Sequence, residues 1–197
     1  MTTNFMPWVL AAGALAVAPV THAAPPTPAM LANPCGGCHG TNGASAGLAT
    51  PNLAGQSKKA FVESMKEFKA GTRPATVMGR LAKGYSDEEI TAMADFFAAQ
   101  KPHSYDQVVD AKKADKGALL QEKHCARCHV DDGQDFKDDA PIMAGQWLKY
   151  LQIQMDEYKS GKRKMSEKMA EKVKPLSLDD MDAIAHFYAS EKQGEGK

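Results

Sequence analysis

"CGGCHG" at residues 35–40 and "CARCH" at residues 125–129 are the stretches on which the fold turns. Each sets two cysteines three positions apart and puts a histidine directly after the second. Cys35, Cys38, Cys125 and Cys128 are the only cysteines of the 197-residue chain, so no thiol is left for a structural cross-link. Around these units the second half repeats the first. The motifs are 90 residues apart (125 − 35), and at that offset "PNLAGQ" (51–56) falls on "PIMAGQ" (141–146). Phe61 meets Leu151, Met65 meets Met155, Phe68 meets Tyr158 and Gly71 meets Gly161. With one further residue inserted, "SDEEITAMADFFA" (86–98) meets "SLDDMDAIAHFYA" (177–189). Two copies at a domain-sized period mean a duplicated domain rather than a solenoid.

Each copy reads as helices. Phe61, Met65 and Phe68 share one face of "KKAFVESMKEFKAG", and Gly71 is a fitting stop. Ser86 with Glu89 three residues later makes a capping-box pattern, as do Ser177 and Asp180. Ile90, Met93, Ala94 and Phe97 follow the spacing of a buried stripe, and Met181, Ile184, Ala185 and Tyr188 repeat it. Trp147, Tyr150, Leu151, Met155 and Tyr158 give the face of the preceding helix. No alternating strand pattern is convincing. The domain reading is 24–101 and 111–197, with 102–110 as a linker opened by Pro102.

Residues 1–23 stand apart. An apolar stretch from Phe5 to Val20, short for a membrane span and with a proline near each end, precedes the small-residue sequence "THA". This reads as a signal peptide cut after Ala23, although no Lys or Arg precedes the apolar stretch. The expectation is export to a periplasm, with no stable membrane insertion after cleavage. The chain holds 24 basic and 24 acidic side chains, which argues against a nucleic-acid binder driven by bulk charge.

In an exported chain, C-x-x-C-H reads as c-type haem attachment. Two thiols add across the two vinyl groups of the porphyrin, and the histidine that follows meets the iron. Cys35, Cys38 and His39 then hold one haem, and Cys125, Cys128 and His129 the other. Small domains need a staple for a thin core, and a haem supplies an apolar face. The rivals are weaker. A thioredoxin-like pair expects a βαβ context, a pooled zinc site leaves the two histidines unexplained, and a disulfide between cysteines three apart is strained. Methionine is a usual sixth ligand. Met78 lies in a loop eight residues before the Ser86 cap, a place from which it can fold back over the haem. In the second copy Met165 and Met169 compete, and the eight-residue spacing to Ser177 favours Met169. Pro51 and Pro141 either line the histidine side of each haem or form a simple turn. His22, His103, His124 and His186 read as surface or satisfied core. The basic run from Lys159 to Lys174 reads as a solvated helical face, with docking of an acidic redox partner as the alternative.

These residues resemble a known family. Two C-x-x-C-H units with P-x-x-A-G-Q repeats look like the dihaem cytochrome c4 group. "TVMGRLAKGYS" (76–86), "IMAGQWLKYLQ" (142–152) and "KMSEKMAEKV" (164–173) are similar to the cytochrome subunit of flavocytochrome c sulfide dehydrogenase. The resemblance implies an all-α fold of two tandem cytochrome c-like helical domains, each enclosing one covalently bound haem and related by a pseudo-twofold axis. It also implies a partner subunit carrying FAD, where sulfide is oxidised, and a small soluble electron acceptor. This chain has no strand–GxGxxG–helix unit and so no flavin domain of its own. The expected role is electron transfer through two haem c groups, with no catalysis by the chain alone. The alternative is a stand-alone cytochrome c4-like shuttle to a terminal oxidase or reductase. A dihaem peroxidase or gas-binding protein needs an open iron position, against which the methionines speak.

Overall fold

The structure is a computed structural model that describes residue 1, residues 24–137 and residues 140–192. Apart from Met1, the expected leader lies outside the described residues. Nine α-helices and short 3-10 turns, with no strand, make up the described residues. The first half holds α1 (Pro28–Ala32), α2 (Gly36–His39), α3 (Lys58–Ala70), α4 (Met78–Leu81) and α5 (Asp87–Ala98). The second holds α6 (Ala111–His124), α7 (Leu148–Lys159), α8 (Glu167–Val173) and α9 (Leu178–Ser190).

The helix ends follow from the residues that mark them. Helix α3 starts at Ser57, whose hydroxyl accepts from the Ala60 N–H, and stops at Gly71 in the left-handed conformation. Helices α5 and α9 both open with complete capping boxes, Ser86 with Glu89 and Ser177 with Asp180. Two apolar clusters result. Phe61 and Met65 of α3 meet Ile90, Met93, Ala94 and Phe97 of α5; Leu151 and Met155 of α7 meet Met181, Ile184, Ala185 and Tyr188 of α9. Each fully buried large side chain in such a cluster contributes about 1.5–3 kcal/mol. The expected stripe on α9 is too narrow, however: Ala183, His186, Phe187 and Ala189 are buried as well. Helix α6 covers that second side. Gly117 lies where the helices cross, and a Cβ there would come within 2.1 Å of the Ala183 carbonyl oxygen.

The halves grip each other through equivalent residues. Gln56 donates to the Ile142 carbonyl (3.0 Å) and accepts from the Ile142 N–H (3.1 Å). Gln146, its counterpart, donates to the Asn52 carbonyl (3.1 Å) and accepts from the Asn52 N–H (2.9 Å). Each side chain thus completes the backbone of the other half at the counterpart position, which is the signature of a twofold contact. The segment 101–110 has no helix or strand and is pinned. Gln107 donates to the Gln146 and Ala189 carbonyls, and the Tyr105 ring stacks on Trp147 at 5.1 Å.

Candidate functional site

The first C-x-x-C-H unit runs into the single-turn helix α2, whereas the second is a series of turns that begins at Cys125, the C-cap of α6. Cys35 is the N-cap of α2, and Gly40 ends it at φ 72°. A Cβ on Gly40 would lie 2.0 Å from the Ala44 carbonyl oxygen, so only glycine fits. The loop then returns past the histidine. The His39 Nδ1–H donates to the Pro51 carbonyl at 2.9 Å, and the His129 Nδ1–H donates to the Pro141 carbonyl at 3.1 Å. The prolines of the repeated P-x-x-A-G-Q stretch therefore stand on the histidine side and act through their carbonyls. With Nδ1 protonated, Nε2 keeps the lone pair that a metal takes. Burial pushes both imidazoles below their ordinary pKa, although each carbonyl contact works the other way. Neutral imidazole is the ligand form.

The return loop is built the same way twice. The Gly43 carbonyl accepts from the Leu53 and Ala54 N–H groups, and the Gly133 carbonyl from those of Met143 and Ala144. Both glycines have positive φ and touch the ring of the last helix, Phe97 in one half and Tyr188 in the other. That pair breaks the symmetry. Tyr188 brings a buried hydroxyl beside Cys125 and Gln121, where Phe97 has none. Gln121 also donates to the His129 carbonyl at 3.1 Å.

Burial pushes the Cys35 thiol up and the Cys125 thiol up to about 11, the reverse of the lowered value found in a reactive cysteine. Among the described residues no three His, Cys, Asp or Glu side chains gather as a metal cluster, so the four cysteines do not pool around one zinc.

The methionines differ in local structure from the sequence expectation. Met78 is not in a loop: it opens the single-turn helix α4 and packs on the same cluster as Cys35. Residues 72–77 form the non-helical approach, and Arg80 holds the turn by donating to the Thr76 carbonyl. Met169 lies within α8, where its N–H donates to the Ser166 hydroxyl, and Met165 lies in the coil before that helix. Both pack on the cluster that includes Cys125. The basic run 159–174 is likewise not one helical face, because α7 ends at Lys159 and α8 begins at Glu167. Lys159 turns inward to the Leu176 carbonyl at 2.6 Å, as Lys69 does to the Tyr85 carbonyl at 2.8 Å. His186 is a satisfied core residue whose Nδ1 accepts from the Asp110 N–H.

Sequence reasoning missed Gln56 and Gln146 as the interface pair, and also missed Arg73 and Arg163. The arginines occupy equivalent positions at the 90-residue offset, a signal that was present in the repeat itself.

Each half thus offers two neighbouring thiols, an imidazole with a free Nε2 and methionine sulfur on the same apolar cluster. This donor set fits an iron porphyrin held by thioethers. The cytochrome c family model matches residues 28–101 and 114–191. A solved cytochrome c4 from Acidithiobacillus ferrooxidans superposes with a TM-score of 0.71 at 28% identity, over 80% of this chain and 99% of that one. The thiosulfate dehydrogenase electron acceptor of Stutzerimonas stutzeri is 30% identical over 85% of this chain and 82% of its own. The cytochrome subunit of sulfide dehydrogenase from Chlorobaculum tepidum is 44% identical over 34% of this chain and 61% of its own. The chain belongs to the cytochrome c family, in its dihaem cytochrome c4-like group, and carries two haem c cofactors as an electron carrier.

Proposed function

We propose that Cys35 and Cys38 tether one haem and Cys125 and Cys128 the other, with His39 and Met78, and His129 and Met169, as the axial ligands. The observation that carries this reading is the twofold occurrence of a histidine whose Nδ1–H is fixed by a proline carbonyl. That contact sets the tautomer and the ring plane, and it strengthens Nε2 as a donor. Met169 is preferred over Met165 because it precedes Val173 by one helical turn, as Met78 precedes the equally buried Ala82. When bound, the haem supplies the one-electron couple. The protein's contribution is anchoring, ligation and exclusion of water, which set the potential.

We further propose that residues 1–23 are a signal peptide, that 24–101 and 111–197 are the two domains, and that the mature chain works in a periplasm. No helix of the described residues is long and apolar enough to cross a membrane. In this reading the chain takes electrons from an FAD-containing sulfide dehydrogenase subunit and passes them to a small soluble acceptor. Support comes from the local likeness to the Chlorobaculum tepidum subunit. Val77 and Leu81, exposed on either side of Met78, give an apolar edge for such a partner. The second reading is a stand-alone cytochrome c4-like shuttle, favoured by the match to the solved cytochrome c4 over nearly all of that protein.

Purification of the intact protein from the native exported fraction separates the two. Haem c and flavin absorption in one complex, with slow reduction of the isolated chain by sulfide, supports the first reading. Haem c absorption without a flavoprotein at any step supports the second, and fast oxidation of sulfide by the isolated chain contradicts both.

A further inference from the structure

Two peptide groups each meet a histidine on one side and a glutamine of the opposite half on the other. The Pro51–Asn52 peptide accepts at its carbonyl from the His39 Nδ1–H at 2.9 Å, and its N–H donates to Gln146 Oε1 at 2.9 Å. The Pro141–Ile142 peptide accepts from the His129 Nδ1–H at 3.1 Å, and its N–H donates to Gln56 Oε1 at 3.1 Å. The two chains of hydrogen bonds are equivalent under the 90-residue repeat, and they cross. Each begins on a histidine of one half and ends on a glutamine of the other. Asn52, Gln56, Ile142 and Gln146 are no more than 9% exposed, so bulk water does not compete for these bonds.

Holding the halves together does not require this placement. The Trp147 Nε1–H donates to the Ser45 carbonyl at 2.8 Å, and the Tyr105 hydroxyl donates to the Ala44 carbonyl at 3.2 Å. Both bonds tie the seam without touching either peptide. The glutamines instead take, in both halves, the N–H of the one peptide whose carbonyl orients the histidine. That choice has an electronic consequence. Consecutive hydrogen bonds in a low-dielectric interior polarise one another, so a peptide with its N–H engaged accepts more strongly at its carbonyl. A stronger carbonyl pulls harder on the Nδ1–H and makes Nε2 a more basic ligand. A more basic ligand favours ferric iron.

We infer that Gln56 and Gln146 are crossed positioning residues, each setting the donor strength of the histidine in the opposite half and so lowering the potential of the haem outside its own domain. The inference rests on the proposed ligation by His39 and His129 and is independent of which redox partner the protein serves. Neither half reaches its working potential alone, because the last link of each chain belongs to the other.

The test is a redox titration of the full dihaem protein followed by paramagnetic NMR, in which the methyl signals of each haem are assigned through contacts with its own cysteines. In Gln146→Met the ferric/ferrous equilibrium of the first haem is expected to move about threefold toward ferrous, a rise of about 28 mV for a one-electron couple. The second haem stays in place. In Gln56→Met the second haem is expected to rise and the first to stay. Gln146→Glu, which keeps an oxygen for the Asn52 N–H, is expected to leave the first haem unraised. Tyr105→Phe, which removes a hydrogen bond at the seam but touches neither peptide, is expected to leave both potentials in place. A shift confined to the haem of the substituted half, an equal shift of both haems, or no shift in the two methionine variants overturns the inference. So does a rise in Tyr105→Phe as large as that in Gln146→Met, which would reduce the effect to a loosened seam. The ligands are checked separately with His39→Ala and His129→Ala. A low-spin spectrum that survives either substitution contradicts the ligation and the inference with it, whereas unmoved potentials with both histidines ligated sink the inference alone.

Discussion

At the scale of the residue, the two halves share one device: a histidine oriented by a backbone carbonyl. A carbonyl serves this purpose better than a side chain because the proline before the A-G-Q turn fixes its direction without rotamer freedom. The sequence states the motif and the histidine in plain form. It states the proline as well, but not that its carbonyl is what acts, because a backbone acceptor leaves no mark of its own on residue type. The second methionine is less legible for a different reason. Both candidates pack on the same cluster, and in the sequence only the spacing to the Ser177 cap separates them. Met169→Ala is expected to abolish the red absorption band of one sulfur–iron(III) bond and to open that haem to added cyanide, while Met165→Ala retains the band. The reverse pattern assigns the ligand to Met165.

At the scale of the element, caps and stripes were the legible part, since each rests on contacts within a few residues. The Gly71 stop, both capping boxes and the apolar faces of α3, α5 and α7 stand where the pattern puts them, and α9 buries its expected stripe together with a second side. Helix α6 was hidden. Nearly half of its residues are charged, it carries a glycine at its centre and it buries only Gly117 and Gln121, so its position is decided by packing on α9 rather than by periodicity. The apparent basic face failed for the complementary reason: a charge count does not register that the helix ends at Lys159. Ser177→Ala removes the α9 cap and is expected to cost about 1 kcal/mol. Because the two halves melt as one unit, that lowers Tm by about 2–4 °C in calorimetry. Asp180 adds a pH dependence. Hydrogen bonds from Lys116 and Ser177 hold its carboxyl well below the usual aspartate range. A depressed folded pKa gives stability that is present above the unfolded value, about 3.9, and is lost as pH falls through the folded one. Acid melting of the native protein should therefore steepen below about pH 4, and Asp180→Asn should flatten that limb; an unchanged limb would remove Asp180 from the account.

At the scale of the whole molecule, duplication does more than double the cofactor. It provides an interface in which Gln56 and Gln146 each complete the backbone of the opposite half. Such a contact holds the two haem domains in one relative position, which a fixed electron path requires. Replacing one glutamine by alanine leaves a buried N–H and carbonyl unpaired, at about 1–3 kcal/mol. The double variant Gln56→Ala/Gln146→Ala is expected to split one thermal transition into two, and a single unshifted transition would show that the pair does not couple the halves. All of this presupposes that each half closes around its own porphyrin. The direct measurement is haem stoichiometry by pyridine haemochrome spectrum and protein mass, on the mature chain and on a Cys125→Ala/Cys128→Ala variant. The account predicts two haem c groups on the native chain and one, tethered in the first half, on the variant. A colourless native chain, or one whose four cysteines titrate as free thiols, would contradict it.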